Sequence, residues 1–269
     1  MKNSKKKVGI IGYGYVGKAV HELMRNHYDI HLYDIKPLDG CYHDSKDKIN
    51  NCDLVIICVP TPKATDGHCD TSIVEKSVAW INAPLILIKS TITPGTTDRL
   101  VKKYKKRVAF SPEYVGESSY YHPFWSKMIE EPHLVIGGTR ETREAILNFF
   151  LPILGPTKFY GLTDARTAEL VKYMENIYYA MKVTFANEFF EIANKLGVSY
   201  PELRELWGLD PRVDKMHTSV FPDKRGFGGK CFPKDLAGLI DASIKAGYEP
   251  KFLQEIMKSN KRFLKMNKK

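Results

Sequence analysis

The chain has 269 residues, with 41 Lys+Arg against 31 Asp+Glu and a formal net charge of +10. At 43% hydrophobic and 27% charged residues it has the composition of a soluble globular protein, not of a disordered tail, and at roughly 100–200 residues per domain it has room for one large or two small domains. No run approaches the roughly 18 apolar residues of a membrane span, and the lysine-rich start leads into a glycine loop, so neither a membrane partner nor a signal peptide is expected.

The first element, Lys7-Val-Gly-Ile-Ile11, reads as a short buried strand. Gly12-Tyr-Gly14-Tyr-Val-Gly17 follows, then an amphipathic helix from Val16 to about Asn26. Strand, GxGxxG and helix in this order make a dinucleotide-binding turn, with Tyr15 and Val16 beside the phosphates. Gly12 permits the tight turn, Gly14 lets backbone approach a pyrophosphate, and Gly17 lets the helix pack on the strand. The next strand, Ile30–Tyr33, ends at Asp34, 22 residues after Gly12. A carboxylate there accepts both ribose hydroxyls and repels a 2′-phosphate, which favours NAD over NADP, although Lys36 lies close by.

Strand and helix signals keep alternating: strands at Leu54–Val59, Leu85–Lys89, Val108–Phe110 and Leu134–Ile136, helices at Ile73–Ile81 and near Glu141–Phe150. The expected architecture is α/β, a Rossmann-type doubly wound parallel sheet over residues 1–160. Two strand ends run into proline-fixed, hydroxyl-bearing turns, Val59-Pro60-Thr61-Pro62 and Ser90-Thr91-Ile-Thr-Pro-Gly-Thr-Thr97. Ligands of open α/β sheets bind at such ends, and plain Ser/Thr helix capping is the alternative.

From about Asp164 to Leu196 there is neither proline nor glycine. A long helix over 161–196 is expected, connecting two domains or pairing with a second chain; Leu170, Tyr173, Ile177, Ala180, Met181 and Thr184 repeat at helical spacing along it. Lys172 and Asn176 are four residues apart and share a face. Residues 197–269 form a small all-helical domain around Arg225-Gly-Phe-Gly-Gly-Lys-Cys231-Phe-Pro-Lys234-Asp235. Glycines let backbone crowd a ligand, and neighbouring lysines make a thiol nucleophilic. Asp235 is either part of that chemistry or a helix N-cap.

The positive surplus is peripheral. Residues 2–7, 102–107 and 258–269 hold four, five and six Lys/Arg without an acid, while the remainder holds 26 basic and 31 acidic residues. Solvated faces explain such runs, with attraction of anionic ligands as the alternative. No base-stacking or groove motif accompanies them, so no nucleic-acid partner is expected. The five cysteines (41, 52, 58, 69 and 231) form an odd set without CxxC, which fits a reducing cytoplasm. Cys41, His43, His68 and Cys69 match no usual metal-site spacing, and no metal is expected.

The chain resembles the nucleotide-sugar dehydrogenases, the UDP-glucose/GDP-mannose dehydrogenase family. The resemblance rests on Gly12-Tyr-Gly-Tyr-Val-Gly17, Cys58-Val-Pro-Thr-Pro62, Ser90-Thr-Ile-Thr-Pro-Gly-Thr96, Ser111-Pro-Glu-Tyr-Val-Gly-Glu117, Ala168-Glu-Leu-Val-Lys-Tyr-Met-Glu-Asn176 and Gly226-Phe-Gly-Gly-Lys-Cys-Phe-Pro-Lys-Asp235, in family order. It implies oxidation of a sugar C6 alcohol to the acid with two NAD⁺ and one water, a step in polysaccharide-precursor synthesis, with UDP-glucose as the first candidate. By matching positions, Cys231 captures the aldehyde as a thiohemiacetal that becomes a thioester. Lys172 and Asn176 stabilise oxyanions, Asp235 and Thr91 hold a water, and Glu113 promotes thioester hydrolysis. The resemblance also places Val59, Pro60, Thr61, Ser90, Thr91, Glu117 and Lys234 at the cofactor. It places Tyr114, Val115, Glu117, Phe227 and Gly228 at the sugar, with Arg212 reaching it across a homodimer interface. Two departures are Ser111 for the family's Asn and Ser118 for its Gly. Only about 34 residues follow Asp235, so a short form without the family's C-terminal nucleotide-binding domain is expected. The alternatives are a 3-hydroxy-acid-type dehydrogenase, which needs no Cys231, and a non-catalytic truncated relative that binds NAD.

Overall fold

The structure, a computed structural model, describes residues 5–36, 43–64, 69–114 and 127–267. It divides into two compact units, Met1–Pro62 with Asp70–Lys172, and Lys63–Cys69 with Tyr173–Lys269.

The first unit is an α/β sheet. Its strands are β1 (Lys7–Ile11), β2 (Asp29–Tyr33), β3 (Leu54–Ile57), β4 (Ile86–Ile88), β5 (Val108–Phe110), β6 (His133–Gly137) and β7 (Phe159–Thr163). They lie in the order β2-β1-β3-β4-β5-β6-β7, with a switch point beside β1 where the connection reverses. Helices α1 (Tyr15–Met24), α2 (Lys46–Asn50), α3 (Ser72–Trp80), α4 (Thr96–Tyr104) and α5 (Arg140–Leu154) connect them.

Strand alternation divides the core into two layers. Leu54, Ile56, Leu87 and Ala109 pack on one face with Val20, Met24 and Phe150. Val55, Ile57, Ile86, Ile88, Val108 and Phe110 pack on the other with Val74, Val78 and Leu100. Period-2 projection explains why uninterrupted apolar runs form these strands: both faces are covered.

Two features differ from the expected all-parallel sheet. β5 pairs with β6 antiparallel, through Phe110 and Gly137, while the other ladders are parallel. β7, in register with β6 from His133↔Phe159 to Gly137↔Thr163, extends the sheet beyond the strands read from sequence.

The long helix is α6 (Ala165–Lys195). Asp164 caps it, accepting from the Thr167 N–H at 2.9 Å and from its hydroxyl at 2.7 Å. α6 contributes to both units, with Lys172 the last residue counted in the first.

The second unit is helical: the rest of α6, α7 (Tyr200–Trp207), α8 (Phe232–Lys245) and α9 (Lys251–Met266). Tyr173, Ile177, Ala180, Phe227, Leu236 and Ile256 form its main core. The α6 stripe read from sequence divides: Tyr173, Ile177 and Ala180 are buried, and Leu170 is exposed. Among the described residues no helix is long and apolar enough to cross a membrane.

Candidate active site

The β1–α1 turn has the shape a pyrophosphate needs. Gly12 sits at φ +87°, where L side chains are strained, and its N–H donates to the Tyr33 carbonyl at 2.9 Å. A Cβ on Gly17 would lie 2.0 Å from the Gly12 oxygen, so only glycine lets α1 start here. Gly14 is the N-cap of α1 with no side-chain cap, and a Cβ added to it meets nothing within 4 Å. The first N–H groups of a helix have no intrahelical partner, so this helix start is a cradle that fits the dinucleotide phosphates. Asp34 accepts from the Tyr13 N–H at 2.8 Å and from the Lys36 N–H at 2.9 Å, which fixes the carboxylate at the end of β2. Tyr15 is exposed and Val16 half-buried at the start of α1.

The neighbouring strand ends are tied together. The buried Ser90 hydroxyl donates to the Val59 carbonyl at 2.7 Å, joining the end of β4 to the loop after β3. Pro60 is exposed, Thr61 buried and Thr91 half-buried on these loops. Sequence reasoning assigned no role to Glu169, which is fully buried in α6. It accepts from the Gly95 N–H at 2.5 Å and from the Thr97 N–H and hydroxyl at 2.8 and 2.6 Å. Glu169 therefore caps α4 and sets the Ser90–Thr97 loop, the task expected of that loop's own hydroxyls. Burial pushes its carboxyl up to about 7, against the pull of those three donors.

Glu113 is the centre of a buried charge cluster in the same unit. It accepts from the Tyr114 N–H at 3.0 Å and lies 3.4 Å from Lys89 Nζ, whose side chain is almost wholly buried. Lys89 also donates to the Ser111 hydroxyl and the Pro112 carbonyl. Lys172 donates to the Glu113 carbonyl, and its ammonium stands 5.2 Å over the Tyr114 ring. Tyr114 in turn packs on the His133 ring at 4.8 Å. A second carboxyl that sequence reasoning missed, Glu131, is also buried here. Desolvation first, and the Glu113 charge second, push it up to about 8.

In the second unit the Asn176 amide donates to Asp235 Oδ2 at 2.6 Å, and Lys234 Nζ reaches Asp235 Oδ1 at 2.6 Å. Asp235 is 1% exposed. It is not the N-cap of α8; Cys231 holds that position, and the Asp235 N–H closes the first turn onto the Cys231 carbonyl at 2.8 Å. Cys231 is exposed, whereas Cys52 and Cys69 are buried and Cys58 half-buried. Burial pushes the Cys52 and Cys58 thiols up to about 12.

Gly228 is exposed with open space where a Cβ would stand. The Phe227 ring lies in the core of the second unit, and both its backbone groups bond Asn260. Arg212 is exposed on the loop after α7 and closes on Asp210 of its own chain. Val115 and Glu117 lie outside the described residues, as do Cys41 and His68. Among the described residues, no group of His, Cys, Asp and Glu could hold a metal ion.

Residues 40–150 match the UDP-glucose/GDP-mannose dehydrogenase family, NAD binding domain, and residues 166–262 match the central domain of the same family. The chain belongs to the UDP-glucose/GDP-mannose dehydrogenase family. NAD is the cofactor of the first matched domain. The UDP-glucose 6-dehydrogenase of Rickettsia conorii is 34% identical over 80% of this family member and 50% of its own length. The UDP-N-acetyl-D-mannosamine dehydrogenase of Methanocaldococcus jannaschii is 32% identical over 90% and 63%. The solved structure of a UDP-glucose dehydrogenase from Pyrobaculum islandicum superposes with a TM-score of 0.80 at 26% identity, covering 97% of this chain and 69% of that one. The chain thus spans about half the length of the first of these curated relatives.

Proposed function

We propose that the protein oxidises the C6 alcohol of a nucleotide sugar to the acid in two NAD-dependent steps, with UDP-glucose as the first candidate substrate. One observation carries the reading. Cys231, unlike Cys52, Cys58 and Cys69, stands exposed at a helix start, after a glycine loop and in the same unit as the buried Asn176–Asp235–Lys234 network.

NAD, when bound to the β1–α1 cradle, supplies the hydride acceptor for each oxidation. Gly14 and the α1 N-terminus would hold its pyrophosphate, and Asp34 its ribose. At the aldehyde stage Cys231 Sγ attacks the carbonyl carbon, and the carbonyl electrons move to oxygen as an oxyanion. Lys172 contributes an ammonium and Asn176 an amide donor to that oxygen. Loss of the second hydride leaves a thioester on Sγ. Water then adds, giving a proton to Glu113; the C–S bond breaks and its electron pair returns to Sγ. Asp235 and Thr91 hold the water that takes the alcohol proton, and Lys234 fixes the Asp235 carboxylate.

The alternative substrate is UDP-N-acetylmannosamine, the class named for the archaeal relative. The exposed apolar positions Met174, Tyr178, Phe185, Phe189 and Ile192 follow one another on α6 at steps of four, seven, four and three residues. They support a homodimer through α6, which would bring Arg212 to the partner's sugar.

The test is NADH formed per sugar over a panel of nucleotide sugars, with the product identified by mass. Two NADH and an acid support this reading. One NADH from a 3-hydroxy acid, unaffected by Cys231→Ser, replaces it with the small-acid dehydrogenase, and NAD binding without turnover replaces it with a non-catalytic role.

A further inference from the structure

Lys89 is a buried lysine at the end of a strand. It directly follows β4 and is 2% exposed. Its N–H donates to the Ile57 carbonyl at 2.9 Å, so the β3–β4 ladder fixes its backbone. Its side chain reaches the segment after β5, where the Ser111 N–H continues the β4–β5 ladder onto the Ile88 carbonyl at 2.9 Å. Three consecutive residues there each offer the ammonium an oxygen: the Ser111 hydroxyl at 3.4 Å, the Pro112 carbonyl at 3.3 Å and Glu113 Oε2 at 3.4 Å. An ammonium has three donors and no acceptor, so this set matches its capacity. The other oxygen of the same carboxylate, Glu113 Oε1, accepts from the Tyr114 N–H at 3.0 Å. Glu113 is itself buried, with a cation at one oxygen and a backbone donor at the other. An apolar side chain would fill the space of Lys89 without the cost of burying an ammonium, so packing alone does not account for a lysine here.

We propose that Lys89 is a positioning residue for Glu113, holding the carboxylate in the orientation from which it accepts a proton from the water that hydrolyses the thioester. This rests on the role given to Glu113 above. The ion pair itself stands on the geometry, because both partners sit on strand-anchored segments of one unit.

In the hydrolytic step the water oxygen bonds the thioester carbon and a water proton passes to Glu113. The C–S bond breaks, and its electron pair returns to Cys231 Sγ. Lys89 keeps its own protons throughout and acts only through Glu113. Its loss therefore slows release of the acid while the two hydride transfers, which do not use Glu113, continue.

The test is a double-variant cycle in the full chain: wild type, Lys89→Met, Glu113→Gln and the two substitutions together. Single-turnover NADH formation, acid release and the mass of the Cys231 adduct are followed with NAD and the nucleotide sugar that wild type oxidises. Lys89→Met should slow acid release roughly ten- to hundredfold and accumulate the adduct, while NADH formation stays within about threefold of wild type. In the Glu113→Gln background Lys89→Met should slow acid release no further. Lys89→Gln keeps a neutral donor and should show the same selective loss in smaller measure, so it serves where Lys89→Met does not fold. Acid release at the wild-type rate in the folded Lys89 variants overturns the proposal. So does an equal slowing of NADH formation and acid release, or a slowing that is as large in the Glu113→Gln background as in wild type. A wild type that forms no acid from any nucleotide sugar removes the proposed function and this role with it. The ion pair is then still decided by urea denaturation of the same four proteins: the two substitutions together cost less than their sum if it forms, and add if it does not.

Discussion

The side-chain amide of Asn260 engages both backbone groups of Phe227: Oδ1 accepts from its N–H at 2.7 Å and Nδ2 donates to its carbonyl at 2.9 Å. Asn267 makes the same reciprocal pair with Arg225, at 2.6 and 3.0 Å. Two asparagines at the C-terminal end of the chain thus hold the backbone that leads to Cys231. Asn260→Ala leaves a buried N–H and a buried C=O unpaired and should lower unfolding free energy by roughly 2–3 kcal/mol in urea denaturation. Asn260→Asp keeps the acceptor and should lose about half as much. A wild-type midpoint for Asn260→Ala would show that the clamp carries no stability.

The glycines of the first turn should separate fold from cofactor binding. Gly14→Ala adds a Cβ in open space, so stability should stay within about 1 kcal/mol of wild type while NAD affinity falls at least about tenfold. Gly17→Ala forces a contact at 2.0 Å with the Gly12 oxygen and should cost about 3 kcal/mol or more. Thermal melts with and without NAD read both effects. Equal behaviour of the two variants would contradict the assigned roles.

Much of this geometry could be read from the chain, and the reasons are local. Gly12 to Gly17 and Asp34 carry their roles in residue type and spacing, and the apolar runs of β3 and β4 need no partner to be recognised. β7 escaped because Phe159-Tyr-Gly-Leu-Thr163 is half-buried and broken by a glycine. The antiparallel β5–β6 ladder escaped because a direction of pairing leaves no mark on either strand. Glu131, Glu169 and Asn260 escaped for one reason. A single polar residue beside a proline or on a helix reads as solvated, and its burial is decided by elements far away in sequence.

Glu169 gives stability a pH dependence. Its carboxyl titrates near the ordinary 4.5 in the unfolded chain and about 7 in the folded one, so the folded state binds the extra proton between those values. The contribution is complete below about 4.5 and is lost as pH rises through 7. Relative to Glu169→Gln, which does not titrate, wild type should lose stability across that window in urea midpoints taken against pH. A constant difference between the two proteins would show that Glu169 is ionised throughout.

Asp235 joins Asn176 and Lys234 in a buried network, so Asp235→Ala removes the partner of an ammonium and of an amide. It should cost roughly 3 kcal/mol by denaturation. Asp235→Asn keeps the volume and should instead lower turnover roughly a hundredfold with a smaller loss of stability. Full activity in Asp235→Asn would exclude a charged role for this carboxylate.

The most direct measurement is the intact mass of the Glu113→Gln variant after incubation with NAD and UDP-glucose, followed by peptide mapping. With hydrolysis slowed, the account predicts a covalent sugar adduct on Cys231, lost in the Glu113→Gln, Cys231→Ser double variant. An unmodified Cys231 under conditions in which NADH is formed, or an adduct on another residue, would contradict it.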